Sequence, residues 1–485
     1  MKKAAIMGID FGLSKINSTL TDMREGSLLL DSESRYTWDV QANNWMETDP
    51  KQLWEVSQRV AEDVLSRYDK DTIQIKAIVL SCFGETIVPV DQDGEHLYPI
   101  MGSNDIRAQE ECRRIAAAIP EYSQITGGNV AAASASSKIL WIREHKPEVF
   151  EKTKEFYSLQ QYILRKMGMD PVNDYTLASR KMLFDLQKGD WSPEILGFLG
   201  VGKEQLGAVS PSSTVVGTIR RYGRAELPYP LPVVIGAHDA CSSALGLGIN
   251  PFNDGSLIGN NSGTWNLMNL YYKEFTDVTV NAPRLTPGSG PVKGSCYFQA
   301  AGAVGPLFDW FVRTFCKEES LSAVSSRAVY DGSCRVRLLK DPMEGNGMLC
   351  GLSLDQKIED IFAGIVESVT FPMKEMLKEF EHLANKRFSA MRISAGGAKA
   401  DNWVQLKADV MNIKMERVAN LQASALGAAI NASVGIGAYK DYDEAISAMV
   451  RVEKVFEPNP EMVKIYEERS REFLAQSISG PCFFL

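Results

Sequence analysis

The sequence lacks both a long hydrophobic run and a block of basic residues. No apolar stretch approaches the ~20 residues that a membrane-spanning helix needs, and the apolar run in MKKAAIMGIDFG is shorter than that of a secretion signal. The 52 basic residues are outnumbered by 61 acidic ones, which gives a net charge of −9. We therefore expect a protein that binds neither membranes nor nucleic acid.

Cysteine is also scarce. The eight cysteines show no CxxC spacing, which argues against a zinc site and against a disulfide framework, so we expect a cytoplasmic protein. What the chain does have is an ordinary globular composition, with 45% hydrophobic and 23% charged residues over 485 positions. Because a chain of this length exceeds what one hydrophobic core supports, two domains are predicted.

A similar pattern occurs once in each half of the chain. The first copy is AAIMGIDFGLSKINSTLTD (4–22) and the second is GSLIGNNSGTWNLMNL (255–270). Each copy is typical of a strand, a glycine-containing turn with hydroxyl side chains, and a second strand. Such turns leave backbone N–H groups free to bind phosphate. The pair predicts a phosphate chain held between two related domains.

The rest of the chain alternates apolar patterns of helical and strand spacing. In the first half the predicted elements are a helix over 50–68, a strand over 73–81, a hairpin of 86–90 with 96–100, helices over 136–145 and 158–167, a strand over 231–235 and a closely packed helix after Asp239. In the second half they are a helix within 301–315, a helix over 359–380 kinked at Pro372, strands over 392–394 and 413–418, and helices over 401–411 and 422–435. No low-complexity linker separates the halves, which favours a hinge formed by packed elements.

Asp10 ends the first predicted strand, immediately before the first turn. A carboxylate there can hold a hydrated Mg²⁺ ion, which takes one or two carboxylates together with waters and phosphate oxygens. The alternative is an aspartate that only bonds N–H groups of the turn, and the second phosphate turn favours the metal. Ser14 and Lys15 carry groups that bind phosphate, although a solvent-exposed turn lysine is equally consistent with Lys15.

In the second turn, NNSGTW, Gly263 permits a positive φ and Thr264 adds a hydroxyl donor. An asparagine-rich hairpin turn without a ligand is the alternative. Gly396, Gly397 and Ala398 lie between a predicted strand and the 401–411 helix. A flat ligand can approach closely there, and an anion can meet helix N–H groups, whereas a plain strand-to-helix turn is the alternative.

Asp239 is the predicted catalytic base, because it follows a buried strand and precedes a helix of small residues that should hold it away from water. Transfer of a phosphoryl group to a hydroxyl needs a carboxylate that accepts the hydroxyl proton. The alternative is an N-cap for that helix. Glu85, Asp105 and Arg107 also follow strand ends. Such groups bind sugar hydroxyls, whereas a surface Asp–Arg pair is the alternative.

These residues stand in an order, GIDFG, SNDIRA, GAHD, SGTW, AGGAK and ASALGAA, that resembles the FGGY carbohydrate kinases. The resemblance runs from Gly8 to Tyr466 and includes stretches similar to the two family signatures, KILWIREH (138–145) and GMLCGLSLDQKIEDIFAGIVE (347–367). It implies an α/β fold of two actin/hexokinase-like (ribonuclease H-like) domains with a central cleft. It also implies a sugar-binding domain over 1–245 and a nucleotide-binding domain over 246–485.

The same resemblance implies transfer of the γ-phosphoryl group of MgATP to a hydroxyl of a small carbohydrate, a ketose or polyol such as a pentulose or deoxyketose. Many such kinases are dimers, so a homodimer is possible. The implied metal ligand is Asp10 and the implied base is Asp239. The implied ATP contacts are Gly12, Ser14, Lys15, Gly263, Thr264, Gly305, Gly396, Gly397, Ala398 and Asp401, with Gly302 as an alternative to Gly305 and Asn402 nearby. The implied sugar contacts are Phe83, Gly84, Glu85, Asp105, Arg107 and Asp239.

Two departures from the family pattern concern the ligands. Leu13 stands where a hydroxyl residue is usual in the first turn, and Ser103 stands where the sugar pocket usually has tryptophan. An unusual acceptor is therefore expected. Two alternatives stay open, a non-catalytic ATP-binding sensor of the same fold and a kinase of a non-sugar hydroxylated metabolite. The presence of both Asp10 and Asp239 favours an active enzyme.

Overall fold

The computed structural model describes residues 2–41, 45–250, 252, 255–272, 282–316, 319–340 and 347–476. Its strands are β1 (Lys3–Phe11), β2 (Lys15–Asp22), β3 (Leu28–Arg35), β4 (Asp39–Val40), β5 (Met46–Thr48), β6 (Ile73–Cys82), β7 (Val88–Val90), β8 (Ile100–Met101), β9 (Glu155–Tyr157), β10 (Asn173–Asp174), β11 (Phe184–Asp185), β12 (Asp190–Trp191), β13 (Val209–Ser210), β14 (Val215–Tyr222), β15 (Ala225–His238), β16 (Leu257–Ser262), β17 (Trp265–Tyr272), β18 (Thr286–Ser289), β19 (Cys296–Ala303), β20 (Arg337–Lys340), β21 (Met348–Cys350), β22 (Ala390–Ser394), β23 (Lys414–Val418) and β24 (Val452–Phe456). Its helices are α1 (Pro50–Arg67), α2 (Gln109–Ala118), α3 (Tyr122–Thr126), α4 (Ala135–His145), α5 (Pro147–Lys152), α6 (Leu159–Lys166), α7 (Tyr175–Arg180), α8 (Pro193–Leu199), α9 (Asp239–Gly246), α10 (Gly305–Phe315), α11 (Leu321–Arg327), α12 (Ile358–Ala384), α13 (Asp401–Met411), α14 (Ala423–Gly435), α15 (Tyr442–Met449) and α16 (Pro460–Gln476).

Two large mixed sheets form the centres of two lobes. The first has the order β14-β15-β6-β1-β2-β3 and the second has the order β18-β19-β17-β16-β22-β23-β24. In the first lobe β1 is antiparallel to β2 and parallel to β6, which is parallel to β15. In the second lobe β16 is antiparallel to β17 and parallel to β22, which is parallel to β23. Strands β3 and β19 each extend their hairpin antiparallel. This repeat of one topology confirms the predicted α/β fold of two related domains.

Helix α1 shows how local sequence places a covering helix on the first sheet. The Asp49 side chain accepts a hydrogen bond from the Lys51 N–H (2.8 Å), and proline occupies the first helical position. Leu53, Val56 and Val60 recur at helical spacing and are buried against β2 and β3.

Most other predicted elements are confirmed. Strands β6, β22 and β23 and helices α4, α6, α10, α12, α13 and α14 lie where the spacing predicted them. Pro372 lies inside α12, which continues to Ala384, and the kink there remains a prediction. The domain boundary at 245–246 also remains a prediction. None of the described helices is both long enough and apolar enough to cross a membrane.

The predicted hairpin of 86–90 with 96–100 is confirmed only near its turn. The turn forms, because the Asp91 N–H donates to the Glu95 carbonyl (3.0 Å) and Val90 pairs with His96 through an isolated bridge. Its two arms then part: β7 pairs with β9, and β8 pairs with β5. The local sequence specifies the turn, but more distant strands offer the arms their partners.

The two lobes meet where α9 packs against α14. A Cβ atom added at Gly427 would lie 1.7 Å from the Ser242 carbonyl oxygen, and one added at Gly246 would lie 2.0 Å from the Ala423 carbonyl oxygen. Glycine is therefore required on both helices for their backbones to approach so closely. This contact confirms the close packing that the small residues after Asp239 predict.

We expect Gly427→Ala to lower the thermal unfolding midpoint, because the new methyl group must push α14 away from α9. Overpacking of this kind costs typically about 1–3 kcal/mol. Gly197→Ala in α8 is the matched control, since a Cβ atom there meets nothing within 4 Å and alanine favours a helix. An unchanged midpoint for Gly427→Ala would contradict the close approach of the two helices.

Candidate active site

The first turn, between β1 and β2, is held by aromatic side chains. The Tyr36 hydroxyl donates to the Gly12 carbonyl (2.9 Å), and Trp38 Nε1 donates to the Leu13 carbonyl (2.7 Å). In a trans peptide the N–H points opposite to the carbonyl. The N–H groups of Leu13 and Ser14 therefore point away from these rings. This arrangement supplies backbone donors at the position where Leu13 lacks a hydroxyl group.

The side chains of this turn face solvent to different degrees. Ser14 is exposed, and the Lys15 ammonium forms an ion pair with Glu33 on β3. A phosphate group that binds Lys15 therefore competes with the Glu33 carboxylate. The phosphate contacts expected of Gly12, Ser14 and Lys15 remain predictions.

Asp10 lies at the end of β1, opposite Asn17 on β2 and Ser81 on β6. Two buried oxygen atoms in this place, Asp10 Oδ1 and Asn17 Oδ1, have no hydrogen-bond partner. Burial raises the pKa of Asp10 to about 6, and the nearby Ser81 hydroxyl and then the Lys15 charge oppose this shift. An oxygen-only set with one carboxylate suits a hydrated Mg²⁺ ion, because such an ion keeps several of its waters.

Asp239 is the first residue of α9, directly after β15. One carboxylate oxygen accepts a hydrogen bond from the Ala240 N–H (2.7 Å) and lies 3.2 Å from His238 Nε2. Its carbonyl oxygen accepts from Ser424 Oγ of α14 (3.2 Å). His238 occupies the N-cap position without a side-chain capping bond, and the Asp239 carboxylate is the group that accepts a first-turn N–H. The carboxylate thus stands at the junction of the lobes, with 32% of its side chain exposed.

Burial raises the pKa of Asp239 to about 8, and the nearby Asp10 charge adds to the shift. The Ala240 N–H opposes it. A carboxylate whose pKa lies near neutral pH suits general-base chemistry, because it both accepts a proton readily and is partly ionised.

The raised pKa of Asp239 predicts a pH dependence of stability. Between the unfolded pKa of about 4 and the folded pKa of about 8, the folded state binds more protons, so stability falls as pH rises. We expect the unfolding midpoint of the wild type to fall more between pH 5 and pH 8 than that of Asp239→Asn in metal-free buffer. Parallel curves for the two proteins would contradict the assigned pKa.

Glu85 lies after β6 with a positive φ of 56°, and Arg180 at the end of α7 faces it. Arg180 Nε donates to Glu85 Oε1 (2.8 Å), and Lys138 Nζ donates to the Glu85 carbonyl (2.9 Å). Although burial alone raises the pKa of Glu85, the charge of Arg180 and its hydrogen bonds to the carboxylate hold it below its ordinary value. Glu85 is therefore an ionised carboxylate close to Asp239.

The sequence analysis missed α7. Thr176 Oγ1 accepts a hydrogen bond from the His238 N–H (2.7 Å), which fixes the residue before Asp239. Burial lowers the pKa of His238 to about 4, so the imidazole is neutral. The sequence signal that could have indicated it is DYTLASR (174–180), in which an aspartate precedes a short run with two hydroxyl residues and an arginine. The structure shows that this run is a buried helix.

Asp105 and Arg107 form a closed network away from solvent. Arg107 Nε and Nη2 donate to the two carboxylate oxygens of Asp105 (2.9 and 2.7 Å), and Nη1 donates to Glu47 (2.5 Å). The Arg107 side chain is 0% exposed. The guanidinium also stacks on Trp45, 4.3 Å from its ring centroid. These contacts exclude a surface Asp–Arg pair, and the sugar contact of the two residues remains a prediction.

Phe83 and Gly84 pack behind the junction. The Phe83 N–H donates to the Phe11 carbonyl (3.0 Å), which joins the segment after β6 to the end of β1. A Cβ atom at Gly84 would lie 3.0 Å from Arg180 Cβ and 3.1 Å from the His238 ring. The missing side chain at Gly84 therefore lets Arg180 and His238 pack close to the segment before Glu85.

The second turn, between β16 and β17, contains Gly263 and Thr264. The Gly263 N–H donates to the Trp265 carbonyl (3.0 Å), and the Gly305 N–H donates to the Thr264 carbonyl (2.9 Å). A Cβ atom at Gly305 would lie 2.8 Å from Thr264 Cα, so the start of α10 packs directly on the turn. Gly302, the alternative residue, lies within β19 opposite Asn266.

Gly396 and Gly397 follow β22, the strand equivalent to β6 in the first lobe. Ala395, the first residue after β22, has a positive φ of 68°. A Cβ atom at Gly397 would lie 2.3 Å from Ser262 Oγ, whereas one at Gly396 would meet nothing within 4 Å. The segment of Gly396, Gly397 and Ala398 thus lies beside the second turn, with Ala398 buried and free space next to Gly396.

Asp401 begins α13, and its carboxylate is already paired. It accepts hydrogen bonds from Arg417 Nη1 and Lys454 Nζ (both 2.5 Å). Bonding to Lys454 and Arg417 lowers the pKa of Asp401. The neighbouring Asn402 donates to the Ser325 carbonyl (2.7 Å) and so ties α13 to α11. The expected nucleotide contact of Asp401 remains a prediction.

Two family descriptions match this chain in succession. Residues 5–246 match the N-terminal domain of the FGGY family of carbohydrate kinases, and residues 261–436 match its C-terminal domain. The chain belongs to the FGGY family. It is a carbohydrate kinase, a phosphotransferase with an alcohol group as acceptor, and kinases of this family use ATP as the phosphate donor.

Relatives of this FGGY kinase act on different acceptors by name. A xylulose kinase of Lactococcus lactis is 24% identical over 96% of this chain and 94% of its own length. A glycerol kinase of Alkaliphilus oremlandii is 26% identical over 97% of this chain and 95% of its own. The structure of a xylulose kinase from Lactobacillus acidophilus superposes with a TM-score of 0.84 over 97% of both chains at 21% identity, which shows the shared fold.

Proposed function

We propose that this FGGY kinase transfers the γ-phosphoryl group of ATP to a hydroxyl of a small ketose or polyol, with Asp239 as the general base. The observation that supports this proposal is the half-buried Asp239 carboxylate with its raised pKa, close to the unpartnered Asp10 oxygen. A base beside a carboxylate that can hold a metal ion suits phosphoryl transfer to an alcohol.

The donor is proposed to bind mainly to residues 246–485. Thr264 and the N–H groups of both turns would hold the phosphates, and Gly396 to Ala398 would leave room for the nucleoside. The open space beside Gly396 supports this assignment, because a flat ring can lie against a glycine backbone. The first turn would complete the phosphate site through the N–H groups of Leu13 and Ser14.

Asp10 is proposed to hold a Mg²⁺ ion through its water shell, with Asn17 and Ser81 as hydrogen-bond partners of those waters. The buried Asp10 and Asn17 oxygens support this role, because each lacks a partner and would gain a donor from bound water. Bound there, the ion would neutralise charge on the phosphates. The ion would also neutralise the negative charge of Asp10. Because that charge raises the pKa of Asp239, the pKa of Asp239 would then fall towards neutral pH.

The acceptor is proposed to bind to residues 1–245, between Glu85 and Asp239. Glu85, held ionised by Arg180, would accept hydrogen bonds from acceptor hydroxyls, and Asp239 would take the proton of the attacking hydroxyl. Asp105 and Arg107 would support the wall of this pocket from behind. Because their polar atoms already have partners, this supporting role needs no rearrangement.

A panel of acceptors tests the proposal. Ketopentoses, deoxyketoses, tetritols and glycerol are each incubated with the enzyme and MgATP, and ADP release is measured. Acceptor-dependent ADP release by at least one ketose or polyol is expected, since the named relatives phosphorylate one of each class. ATP binding without release across the panel would favour the non-catalytic sensor. Release only with a non-sugar alcohol would contradict the proposed substrate class.

A further inference from the structure

Lys407 is a buried cation directly behind the second phosphate turn. It lies on α13 and is 0% exposed. Its Nζ donates to Asn260 Oδ1 (2.9 Å), Ser262 Oγ (2.8 Å) and Asn266 Oδ1 (3.2 Å). Ser262 directly precedes the Gly263-Thr264 turn, and Asn266 is the second residue of β17, the strand after the turn. One ammonium group therefore ties both sides of the turn together.

The partners of Lys407 are all uncharged. The ring of Trp403, one helical turn earlier on α13, lies 4.1 Å from Nζ, and no described carboxylate lies within ion-pair distance of it. Burial lowers the pKa of Lys407 well below its ordinary value, but three oxygen acceptors around Nζ match the three N–H bonds of the protonated ammonium. Three hydrogen bonds and an aromatic face offset part of the cost of burying this charge. An anion at the turn would offset more of it.

Lys407 also connects the second turn with the glycine segment after β22. Gly397 packs closely against Ser262 and Trp403, because a Cβ atom there would lie 2.3 Å from Ser262 Oγ and 2.6 Å from the Trp403 ring. Ser262 and Trp403 are the same side chains that contact the Lys407 ammonium. A shift of Lys407 would thus move both walls of the proposed donor site.

We propose that Lys407 positions the second phosphate turn and that its positive charge makes this turn selective for nucleotides with more phosphate groups. The inference rests on the proposed function, because it requires a polyphosphate at the Gly263-Thr264 turn. Lys407 does not touch the ligand; it acts through Ser262 and Asn266. Because the site is buried, its charge is poorly screened and acts across these side chains.

Calorimetric binding of ATP, ADP and AMP to Lys407→Met tests this role. We expect ATP affinity to fall ~10-fold or more and AMP affinity to change by less than ~2-fold, because the interaction scales with ligand charge. Lys378→Met is the matched control, since Lys378 is an exposed lysine of the same lobe, paired with Glu375. It removes the same charge from the surface, where solvent screens it, and should leave all three affinities unchanged.

Ser262→Ala separates position from charge. It removes one acceptor of the Lys407 ammonium without changing any charge, so we expect ATP affinity to fall less than in Lys407→Met and AMP affinity to change little. A loss of ATP affinity as large as that of Lys407→Met would assign the effect to the position of the turn and overturn the charge role. An equal loss for ATP and AMP in Lys407→Met would overturn the charge role of Lys407. Failure of the wild type to bind any of the three nucleotides would instead contradict the proposed function.

Folding of the variant is checked by its thermal unfolding midpoint. Lys407→Gln, which keeps a hydrogen-bond donor, replaces the methionine variant if that protein does not fold. We expect Lys407→Gln to show the same selective loss of ATP affinity. Failure of both variants to fold would overturn the proposal, because Lys407 would then be required for the lobe itself rather than for the ligand.

Discussion

Replacement of Asp239 by asparagine is expected to lower turnover by about 10²–10⁴ while ATP still binds, the usual range for loss of a general base. Asparagine keeps the size of the side chain and can still accept the Ala240 N–H bond that the carboxylate accepts at 2.7 Å. What it loses is the ability to take the proton of an acceptor hydroxyl. The chemical step should therefore slow while binding of both substrates changes little.

Turnover and nucleotide affinity are measured on the same protein preparation. Asp93→Asn is a suitable control, because Asp93 lies exposed in the turn before His96 and is not one of the residues that form the site. It should leave turnover unchanged. Near-normal turnover by Asp239→Asn would remove Asp239 from the role of base. A variant that no longer binds ATP would indicate a disturbed lobe junction.

Replacement of Arg180 by methionine is expected to lower the efficiency of acceptor use and the stability of the fold. It leaves the Glu85 carboxylate without the guanidinium that holds it, in a site where only 24% of the Glu85 side chain is exposed. Breaking a buried pair in this way costs about 3 kcal/mol or more. Because Arg180 lowers the pKa of Asp239, its loss should also move the pH profile of turnover to higher pH.

The double variant Glu85→Gln with Arg180→Met tests whether the effects of Arg180→Met come from the lost charge or from general disruption of the fold. Glu85 raises the pKa of Asp239 and Arg180 lowers it, so removal of both should return the pH profile towards that of the wild type. Unfolding by denaturant should show recovered stability, since no buried charge is left unpaired. Arg113→Met, at an exposed pair with Glu110, should change neither. A pH profile that stays at the wild-type position in Arg180→Met would contradict this account.

Local sequence was sufficient for the features that depend on neighbouring residues. The two predicted strand–turn–strand patterns are β1–β2 and β16–β17 in the structure. Asp239 lies directly after a buried strand, as the sequence pattern predicts. The small residues of α9 predicted its contact with α14, because only a backbone without side chains can come so close. These features follow from period, turn chemistry and residue size.

Other features became visible only with distant contacts. Arg180 pairs with Glu85 across 95 positions, and the Asp105–Arg107 pair is buried by Glu47 and Trp45 from an earlier segment. Lys407 meets its three partners 141 or more positions away. No spacing within a segment indicates such pairs, because they depend on which strands become neighbours.

The sequence by itself determined the two repeated lobes, the turns between their first strands and the carboxylates at the strand ends. It could do so because hydrophobic period and glycine placement act over a few residues. Only the tertiary structure decided how Asp10, Asp239, Glu85 and Arg180 act together. Their pKa values and partners depend on burial and on charges that other strands and helices bring beside them.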